Sequence, residues 1–410
     1  MSEDTMPSNP AGSSPRPTGR WSEVLAVFLR LGLTSFGGPV AHLGFFREEF
    51  VNRRRWLDDR AYADLVALCQ FLPGPASSQV GIAVGLSRAG YAGGFAAWLG
   101  FTLPSAAAMV AFAYAIDVLG GAAGSGWLHG LKVAAVAVVA QAVLGMMRSL
   151  AADRERATIM VAVAALVLAV PSAWAQVGGI VLGGLSGLLL TRDAAPADHA
   201  HLPLSVGRRT GLWCLVMFFV LLIGLPVLAA SVGSHALDLV DAFYRAGSLV
   251  FGGGHVVLPL LQEAVVPRGW ISNDAFLAGY GAAQAVPGPL FTFAAYLGAA
   301  MQPAPSGVGG ALICLIAVFA PSFLLVVGAL PFWEALRRRP EVQAALRGVN
   351  AAVVGLLLAA LYHPVWTSAI AGRGDFALAA AAFLLLMMWK TAPWAVVVLC
   401  AAGGAVLAIV

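Results

Sequence analysis

The chain has 410 residues, of which 60% are hydrophobic and 11% are charged. A soluble globular domain needs about 25% charged residues, so this composition excludes that class and predicts a polytopic membrane protein. The formal net charge of +4 comes mostly from basic residues in short loops, which set membrane orientation, and this pattern argues against nucleic-acid binding. The four cysteines are isolated from one another, so neither a disulfide framework nor a metal site is predicted.

Residues 1–20 are polar, contain no apolar core and predict a disordered tail, not a cleavable signal peptide. The apolar segments that follow form three groups: six in 21–190, one at 211–230 and six in 236–410. A polar linker, 191–210, separates the first group from the second. Six spans return the chain to its starting side and one more crosses over, so the second half is predicted to be inserted upside down.

The two halves carry the same landmarks in the same order. A glycine motif at 36–39 recurs at 251–254, and a Pro-Gly-Pro motif at 73–75 recurs at 287–289, with offsets of 251 − 36 = 215 and 287 − 73 = 214. Glycine permits unusual backbone angles and proline ends a helix, so each motif predicts a helix break at membrane depth. We therefore predict an all-α membrane protein whose two homologous halves form an inverted-topology repeat with broken or re-entrant helices.

Broken helices at these motifs expose backbone amides, and the positive end of a half-helix attracts an anion. Neutral hydroxyl and amide groups near the breaks hold an oxyanion weakly enough for its release. The predicted backbone contributors are Gly37, Gly38, Gly74, Gly252, Gly253 and Gly288, and the predicted breaking residues are Pro39, Pro73, Pro75, Pro287 and Pro289. The predicted side-chain contributors are Gln70, Ser77, Ser78, Gln284 and Thr292. Close helix packing at glycines and simple proline kinks are the structural alternatives.

Two arginines and two histidines lie near the glycine motifs. Arg30 and Arg245 occupy equivalent positions (245 − 30 = 215) within apolar runs, where a charged residue is a candidate ligand for a dianion. Snorkelling of both side chains to the lipid headgroups is the alternative. His42 and His255 are candidate proton-sensitive donors, with a buried structural histidine as the alternative for each.

Acidic residues in the same regions are candidates for gating or coupling. Glu48, Glu49 and Glu263 follow the glycine motifs and act either as gates or as plain loop charges. Asp64 has no counterpart in the second half, so a proton-coupling role there would belong to one half only. The sequence contains no HExxH, Walker A or GxSxG motif, so hydrolysis and ATP-driven transport are not predicted, and no cofactor is expected.

The basic residues test the topology. Simple counting places the five arginines between 47 and 60 outside, against the positive-inside rule. The conflict disappears if the segments that carry the glycine and Pro-Gly-Pro motifs both enter the membrane and leave on the same side. The matching loop of the second half contains only Arg268, as opposite insertion of that half would produce.

The run FGGPVAHLGFFREEF at 36–50, continuing to residue 85, resembles the signature of the chromate ion transporter family, and residues 251–289 resemble that family's second-half signature. The resemblance implies a long-chain, two-domain secondary transporter in the bacterial inner membrane. It implies that the protein exports chromate from the cytoplasm, confers chromate resistance and is driven by the membrane potential or a proton gradient. It adds Gln79 to the expected binding residues and Arg47 and Arg54 to the gating or coupling candidates. The second half departs at Gly254 and Phe291, which stand where the first has Pro39 and Ser77, so the site is not expected to be fully symmetric.

Two other functions stay open from the residues. A transporter of sulfate or another oxyanion, including an importer, requires the same breaks and hydroxyls, because these ions share one tetrahedral acceptor geometry. A membrane-embedded enzyme or a channel-like scaffold would need a nucleophile–base pair or a metal cluster, and the sequence offers neither. The oligomeric state is left open, since one chain carries both halves.

Overall fold

The computed structural model describes residues 19–119, 126–190, 206–336 and 339–408, which contain helices and no strand. The predicted tail, 1–20, and linker, 191–210, fall mostly outside the described residues. The first half contains α1 (Trp21–Thr34), α2 (Gly38–Arg47), α3 (Asp59–Phe71), α4 (Ala76–Leu119), α5 (Gly126–Leu150), α6 (Arg154–Ala169) and α7 (Ala173–Leu190). A separate helix, α8 (Arg208–Val232), follows. The second half contains α9 (His235–Leu249), α10 (Val257–Val265), α11 (Asn273–Ala283), α12 (Phe293–Ala300), α13 (Gly307–Ala329), α14 (Trp333–Leu336), α15 (Pro340–Ala360), α16 (Thr367–Ala369), α17 (Arg373–Met387) and α18 (Pro393–Leu407).

The first half begins with two re-entrant hairpins. Helix α2 and the π-helical turn after it return to the start of α1, where Arg54 Nη1 lies 3.4 Å from Glu23 Oε1. Helix α3 then enters the protein, and the first part of α4 leads back to the same place, where Arg88 Nη2 lies 3.3 Å from Glu23 Oε2. A sharp bend at Gly90, with φ of +64°, ends this return arm. Both hairpins therefore open on one side, which we call the N-terminal face.

The second half repeats this arrangement from the opposite side. The His235 ring at the start of α9 packs edge-on against the Trp270 ring, with 4.7 Å between centroids. Trp270 follows α10, and its carbonyl oxygen accepts a hydrogen bond from the Gln302 amide just beyond α12 (2.9 Å). The hairpins α9–α10 and α11–α12 thus open together on what we call the opposite face.

The breaks fall at the predicted motifs. Gly37 and Gly38 have φ of +97° and +76°, and Gly252 and Gly253 have φ of +72° and +154°, in the region that favours glycine. Each Pro-Gly-Pro motif separates a helix that enters from one that leaves, with positive φ at its glycine. The sequence prediction of broken, re-entrant helices is confirmed.

Each half packs one of its long helices against the other half. Helix α5 of the first half packs on α17 and α18 of the second, while its counterpart α15 packs on α6 and α7 of the first. Gly130 approaches the Cys400 carbonyl, and Gly348 approaches the Gly183 carbonyl, so close that neither has room for a Cβ atom. These two contacts are equivalent (348 − 130 = 218 and 400 − 183 = 217), as a twofold relation between the halves requires.

The parity of the crossings gives the two halves opposite orientation. Beyond its hairpins, the first half continues through four helical passes, the second part of α4 and then α5, α6 and α7, and an even number of passes returns the chain to the N-terminal face. Helix α8 adds one crossing, and its largely exposed apolar surface suits contact with lipid. Within the described parts of the chain, five helical stretches are long and apolar enough to span a bilayer: Ala76–Ile116, Gly126–Leu150, Arg208–Val232, Gly307–Phe332 and Pro340–Ala369. The molecule is a multi-pass membrane protein built as an inverted repeat.

Candidate functional site

The tips of the hairpins meet in the protein interior and are joined across the halves. The Gly74 amide donates a hydrogen bond to the Val250 carbonyl (2.6 Å), and the Gly288 amide donates one to the Ser35 carbonyl (2.8 Å). The two bonds are equivalent, because 250 − 35 = 215 and 288 − 74 = 214. Each Pro-Gly-Pro motif is therefore held by the first break of the other half, and neither half can form this centre alone.

Helix starts converge at this centre. The four arms that lead back out begin here: α2 at Gly38, α4 at Ala76, and the short 3₁₀ turns at Gly254 and Leu290 that precede α10 and α12. No side chain caps the starts at Gly37, Gly253 or Pro289. Uncapped amides and the positive ends of helix dipoles together give the centre a positive potential without any charged side chain.

A small cavity of about 60 Å³ lies at the centre. Its lining includes Gly37, Gly38, Pro39, His255, Gln284 and Gly288. A single water needs about 10–15 Å³ on this measure, so the space suits a few waters or one small oxyanion. The Gln284 Nε2 atom is buried and makes no hydrogen bond of normal length among the described residues, although its side chain interacts with the Tyr280 hydroxyl. The amide therefore keeps donor capacity for a bound solute.

Hydroxyl and imidazole groups lie on the first-half side of the hairpin tips, behind the lining of the central cavity. His42 is buried, with Nδ1 3.4 Å from Ser77 Oγ and Nε2 3.2 Å from the Ser35 carbonyl oxygen. Gln79 donates from Nε2 to the Pro73 carbonyl (2.6 Å). Ser78 is 2% exposed, and its hydroxyl has no partner within the described chain. This wall carries neutral donors and acceptors, which are groups that can hold an oxyanion without a full countercharge.

The equivalent wall of the second half is less polar. Phe291 replaces Ser77, is fully buried and packs against Phe319, with 5.8 Å between ring centroids. Thr292 donates its hydroxyl to the Pro289 carbonyl (2.9 Å), so that group caps the backbone locally. His255 Nδ1 lies 2.8 Å from the Tyr280 hydroxyl, a partner unlike either contact of His42. The centre is twofold in backbone and asymmetric in side chains.

Two serines outside the predicted motifs also pack at the hairpin tips. A Cβ atom at Gly288 would collide with Ser105 Oγ, and one at Gly74 would lie 2.9 Å from Ser322 Oγ, so each serine packs against the Pro-Gly-Pro glycine of the other half. Both are at most 1% exposed, and neither hydroxyl has a partner among the described residues. The signal was present in the sequence, since Pro104-Ser105 and Pro321-Ser322 repeat at the offset 322 − 105 = 217.

The predicted arginines lie in ion pairs away from the centre. Arg30 Nη2 contacts Glu49 Oε2 at 2.6 Å, and Arg245 Nη2 contacts Asp241 Oδ2 at 2.6 Å. Both arginine side chains are about a third to a half exposed, at 32% for Arg245 and 48% for Arg30. Each therefore already has a counterion, and the structure does not bring them to the cavity as bare cations.

The remaining candidates lie either at the N-terminal face or on α3 and α10. Glu49 is buried and accepts hydrogen bonds from Arg30, Arg53 and Arg54, and so ties α1 to its returning arm. Nearby at the surface, Arg47 pairs with Asp59 and Glu48 accepts from Asn52. Asp64 is buried in α3, Glu263 is half-buried in α10, and Gln70 is exposed at the end of α3. No group of three His, Cys, Asp or Glu side chains in the described parts is placed to hold a metal ion.

Comparison with known proteins identifies the family. The family model described as Chromate transporter matches twice, over residues 22–188 and 237–405, and so covers most of the chain. The chain belongs to the chromate transporter family. The two matches coincide with the two structural halves and leave α8 outside both. Because this is a family of transporters, the protein is a transporter and not an enzyme.

Relatives align along almost the whole transporter. It is 30% identical over 400 residues to the chromate transport protein of Pseudomonas aeruginosa, which covers 94% of this chain and 92% of the relative. It is 27% identical to the probable chromate transport protein of Synechococcus elongatus, covering 83% of each chain, and 26% identical to the chromate transport protein of Cupriavidus metallidurans, covering 84% and 82%. No solved structure matches the chain.

Proposed function

We propose that this transporter exports chromate from the cytoplasm and that the ion binds at the centre where the four hairpin tips meet. The observation that carries the proposal is the reciprocal pair of amide bonds, Gly74 to Val250 and Gly288 to Ser35, which places uncapped helix starts around one cavity. Membership of the chromate transporter family and the names of the relatives support chromate as the substrate. We further propose residues 21–190 and 236–410 as the two functional repeats.

The groups at the centre favour reversible binding of the ion, as transport requires, over tight retention. A dianion there meets amides, hydroxyls and the Gln284 carboxamide, while the arginines remain paired with Glu49 and Asp241. Dipolar donors stabilise an anion at a smaller desolvation cost than a bare buried cation would carry. Such a site binds the ion and still lets it leave, which is the condition for turnover.

The distribution of basic residues supports an orientation with the N-terminal face in the cytoplasm, and we assign the protein to the bacterial inner membrane. The N-terminal face carries far more arginines than the opposite face, where Lys132, Arg268 and Arg373 lie. The positive-inside rule assigns the richer face to the cytoplasm. Its arginines include Arg47, Arg53, Arg54, Arg55, Arg60, Arg88, Arg148, Arg154, Arg156, Arg208, Arg209 and Arg339.

The membrane potential alone is sufficient to drive the proposed export. Moving a charge of −2 outward across an inside-negative potential of about 100 mV is favoured by about 2 × 2.3 ≈ 4.6 kcal/mol. That free energy corresponds to a concentration ratio of more than about a thousandfold at equilibrium. Resistance to chromate follows from such a gradient, and no ATP is required.

Uptake into everted vesicles tests the proposal. Labelled chromate and labelled sulfate are offered separately, with an imposed lumen-positive potential in one set and an imposed pH gradient in another. We expect chromate to accumulate under the potential, and vesicles without the protein serve as the control. Sulfate uptake without chromate uptake would instead support the alternative oxyanion transporter. Accumulation under the pH gradient alone would replace potential-driven export with proton coupling.

A further inference from the structure

A second and much larger cavity, of about 530 Å³, opens near the opposite face. It lies between α5, α11, α17 and α18, and its lining includes Gly126, His129, Lys132, Asp274, Asp375 and Gly404. We call it the outer vestibule. The outward ends of these helices meet here, on the side away from the arginine-rich face.

The outer vestibule and the central cavity lie in line along the same two helices. On α5, Lys132 borders the vestibule, and Val138 and Gln141 border the central cavity two to three turns deeper. On α11, Asp274 borders the vestibule, and Ala283, at the inner end of the helix, borders the central cavity. A solute that leaves the centre between α5 and α11 therefore arrives in the vestibule.

A short seam of small side chains separates the two cavities. Gly281 on α11 packs directly against the Leu131 carbonyl on α5, so close that a Cβ atom at Gly281 would not fit. Ala134, Val138 and Ala282 are buried in the same contact. The seam is closed in this structure, and it contains no charged group that would have to be desolvated or broken for the helices to part.

Lys132 is the cation that a departing anion meets first beyond the seam. Its Nζ lies 3.0 Å from Asp274 Oδ1, but the two partners differ in burial: the Lys132 side chain is 12% exposed and that of Asp274 is 72% exposed. The other carboxylate of the vestibule, Asp375, is held by more partners: Oδ1 lies 2.8 Å from His129 Nε2, and Oδ2 accepts from the Ala371 and Gly372 amides. The Asp274 carboxylate is thus the more easily displaced acceptor.

We propose that the outer vestibule contains a second, weaker oxyanion site, in which a tetrahedral dianion displaces Asp274 from Lys132 before it leaves the protein. This inference rests on the proposed function. An ion pair with one hydrated partner contributes only about 0–1 kcal/mol to stability, so displacement of Asp274 costs little free energy. A dianion also attracts Lys132 more strongly than a single carboxylate does. The site belongs to one mouth only, because the equivalent residue of the second half is Asn350 (350 − 132 = 218).

The chain offers a matched probe, because Lys132 and Lys390 are its two lysines. Reductive methylation with ¹³C-formaldehyde keeps the positive charge and gives each lysine its own NMR signal in the detergent-solubilised full chain. Lys390 is exposed on the N-terminal face and serves as the internal control. The signals are assigned with Lys132→Arg and Lys390→Arg. Sulfate, which is not an oxidant, is titrated first and chromate second.

We expect both dianions to shift the Lys132 signal in a saturable way and to leave the Lys390 signal unchanged at constant ionic strength. In vesicles, Lys132→Gln should raise the KM for chromate about tenfold, as expected for the loss of one charge-assisted hydrogen bond, while Lys132→Arg restores it and Lys390→Gln has no effect. A static Lys132 signal in protein that transports chromate normally would overturn the second site alone. A saturable shift in protein that transports neither ion would overturn the proposed function and leave the site standing.

Discussion

Gly74 and Gly288 each meet three structural constraints at one position. Each donates its amide to a carbonyl of the opposite half, and each has φ in the positive region, at +122° and +94°. Each also packs its α-carbon against a buried serine of that other half, Ser322 or Ser105. Any side chain here both strains the backbone and separates the halves at the point where the ion is proposed to bind.

We predict that Gly288→Ala lowers thermal stability and abolishes chromate uptake. The added methyl group collides with Ser105 at an unfavourable φ, which should cost about 2–4 kcal/mol. Thermal unfolding in detergent and vesicle uptake measure the two effects. Gly224→Ala, in α8, is the matched control, because a Cβ atom there meets nothing within 4 Å. Wild-type uptake by Gly288→Ala would show that the close approach is not required.

Substitution of Ser105 or Ser322 distinguishes a role in ligand binding from a role in stability. Their buried hydroxyls have no hydrogen-bond partner among the described residues, so removal of either hydroxyl should not lower the melting temperature. We predict that Ser105→Ala and Ser322→Ala each lower the rate of chromate uptake about tenfold, as expected for one lost donor to an oxyanion. Ser231→Ala, at an exposed site on α8, is the control. A loss of stability without a loss of uptake would make these serines structural.

At the scale of elements, ion pairs join the two arms of the hairpin α1–α2 at the N-terminal face. Glu49 is almost fully buried and holds Arg30, Arg53 and Arg54 at 2.6–3.3 Å. This cluster fixes the distance between α1 and its returning arm. It therefore also fixes the position of the glycine break that joins them. The same arginines that signal membrane orientation thus also stabilise the hairpin.

We predict that Glu49→Gln lowers the stability of the folded protein by about 2 kcal/mol, because three guanidinium groups lose their shared carboxylate while remaining partly hydrated. Glu48→Gln is the matched control, since Glu48 is exposed and accepts only from the neutral Asn52 among its resolved contacts. Chemical unfolding in detergent measures both variants. Equal stability of the two variants would contradict a closing role for Glu49.

Local sequence predicted the breaks well and the helix partners poorly. The glycine and Pro-Gly-Pro motifs dictate backbone conformation by themselves, and the arginines at 47–60 were sufficient to indicate re-entrant hairpins. The exchange of α5 and α15 between halves was not predicted, because Gly130 and Cys400 are brought together only by long-range packing. The counterions of Arg30 and Arg245 were missed for a related reason: apolar context indicates that a charge needs a partner but does not identify it.

For the molecule as a whole, the inverted repeat supplies two related halves whose helices are interlocked. Because α5 packs on the second half and α15 on the first, a shift of either helix changes the packing of both repeats. The central cavity and the outer vestibule both border α5 and α11, so we expect movement at that seam to change access on one side while the amide bonds at the centre stay intact. The centre can then remain in place while its access alternates.

We predict that the first pair of hairpins opens to the cytoplasm and the second pair to the outside, and cysteines at three exposed positions test this orientation. In a chain whose four cysteines are replaced by alanine, Arg60→Cys and Ala152→Cys should react with a membrane-impermeant thiol reagent only from the cytoplasmic side, and Ala304→Cys only from the outside. Residue 60 follows the first re-entrant hairpin, which returns the chain to the N-terminal face where residue 152 also lies, whereas residue 304 lies beyond the second pair of hairpins at the opposite face. Intact cells and everted vesicles provide the two accessibilities, and chromate uptake by each variant controls for folding. Labelling of Arg60→Cys from outside would mean that α1 and α2 cross the bilayer as one span, and the hairpin tips could then no longer meet at its centre.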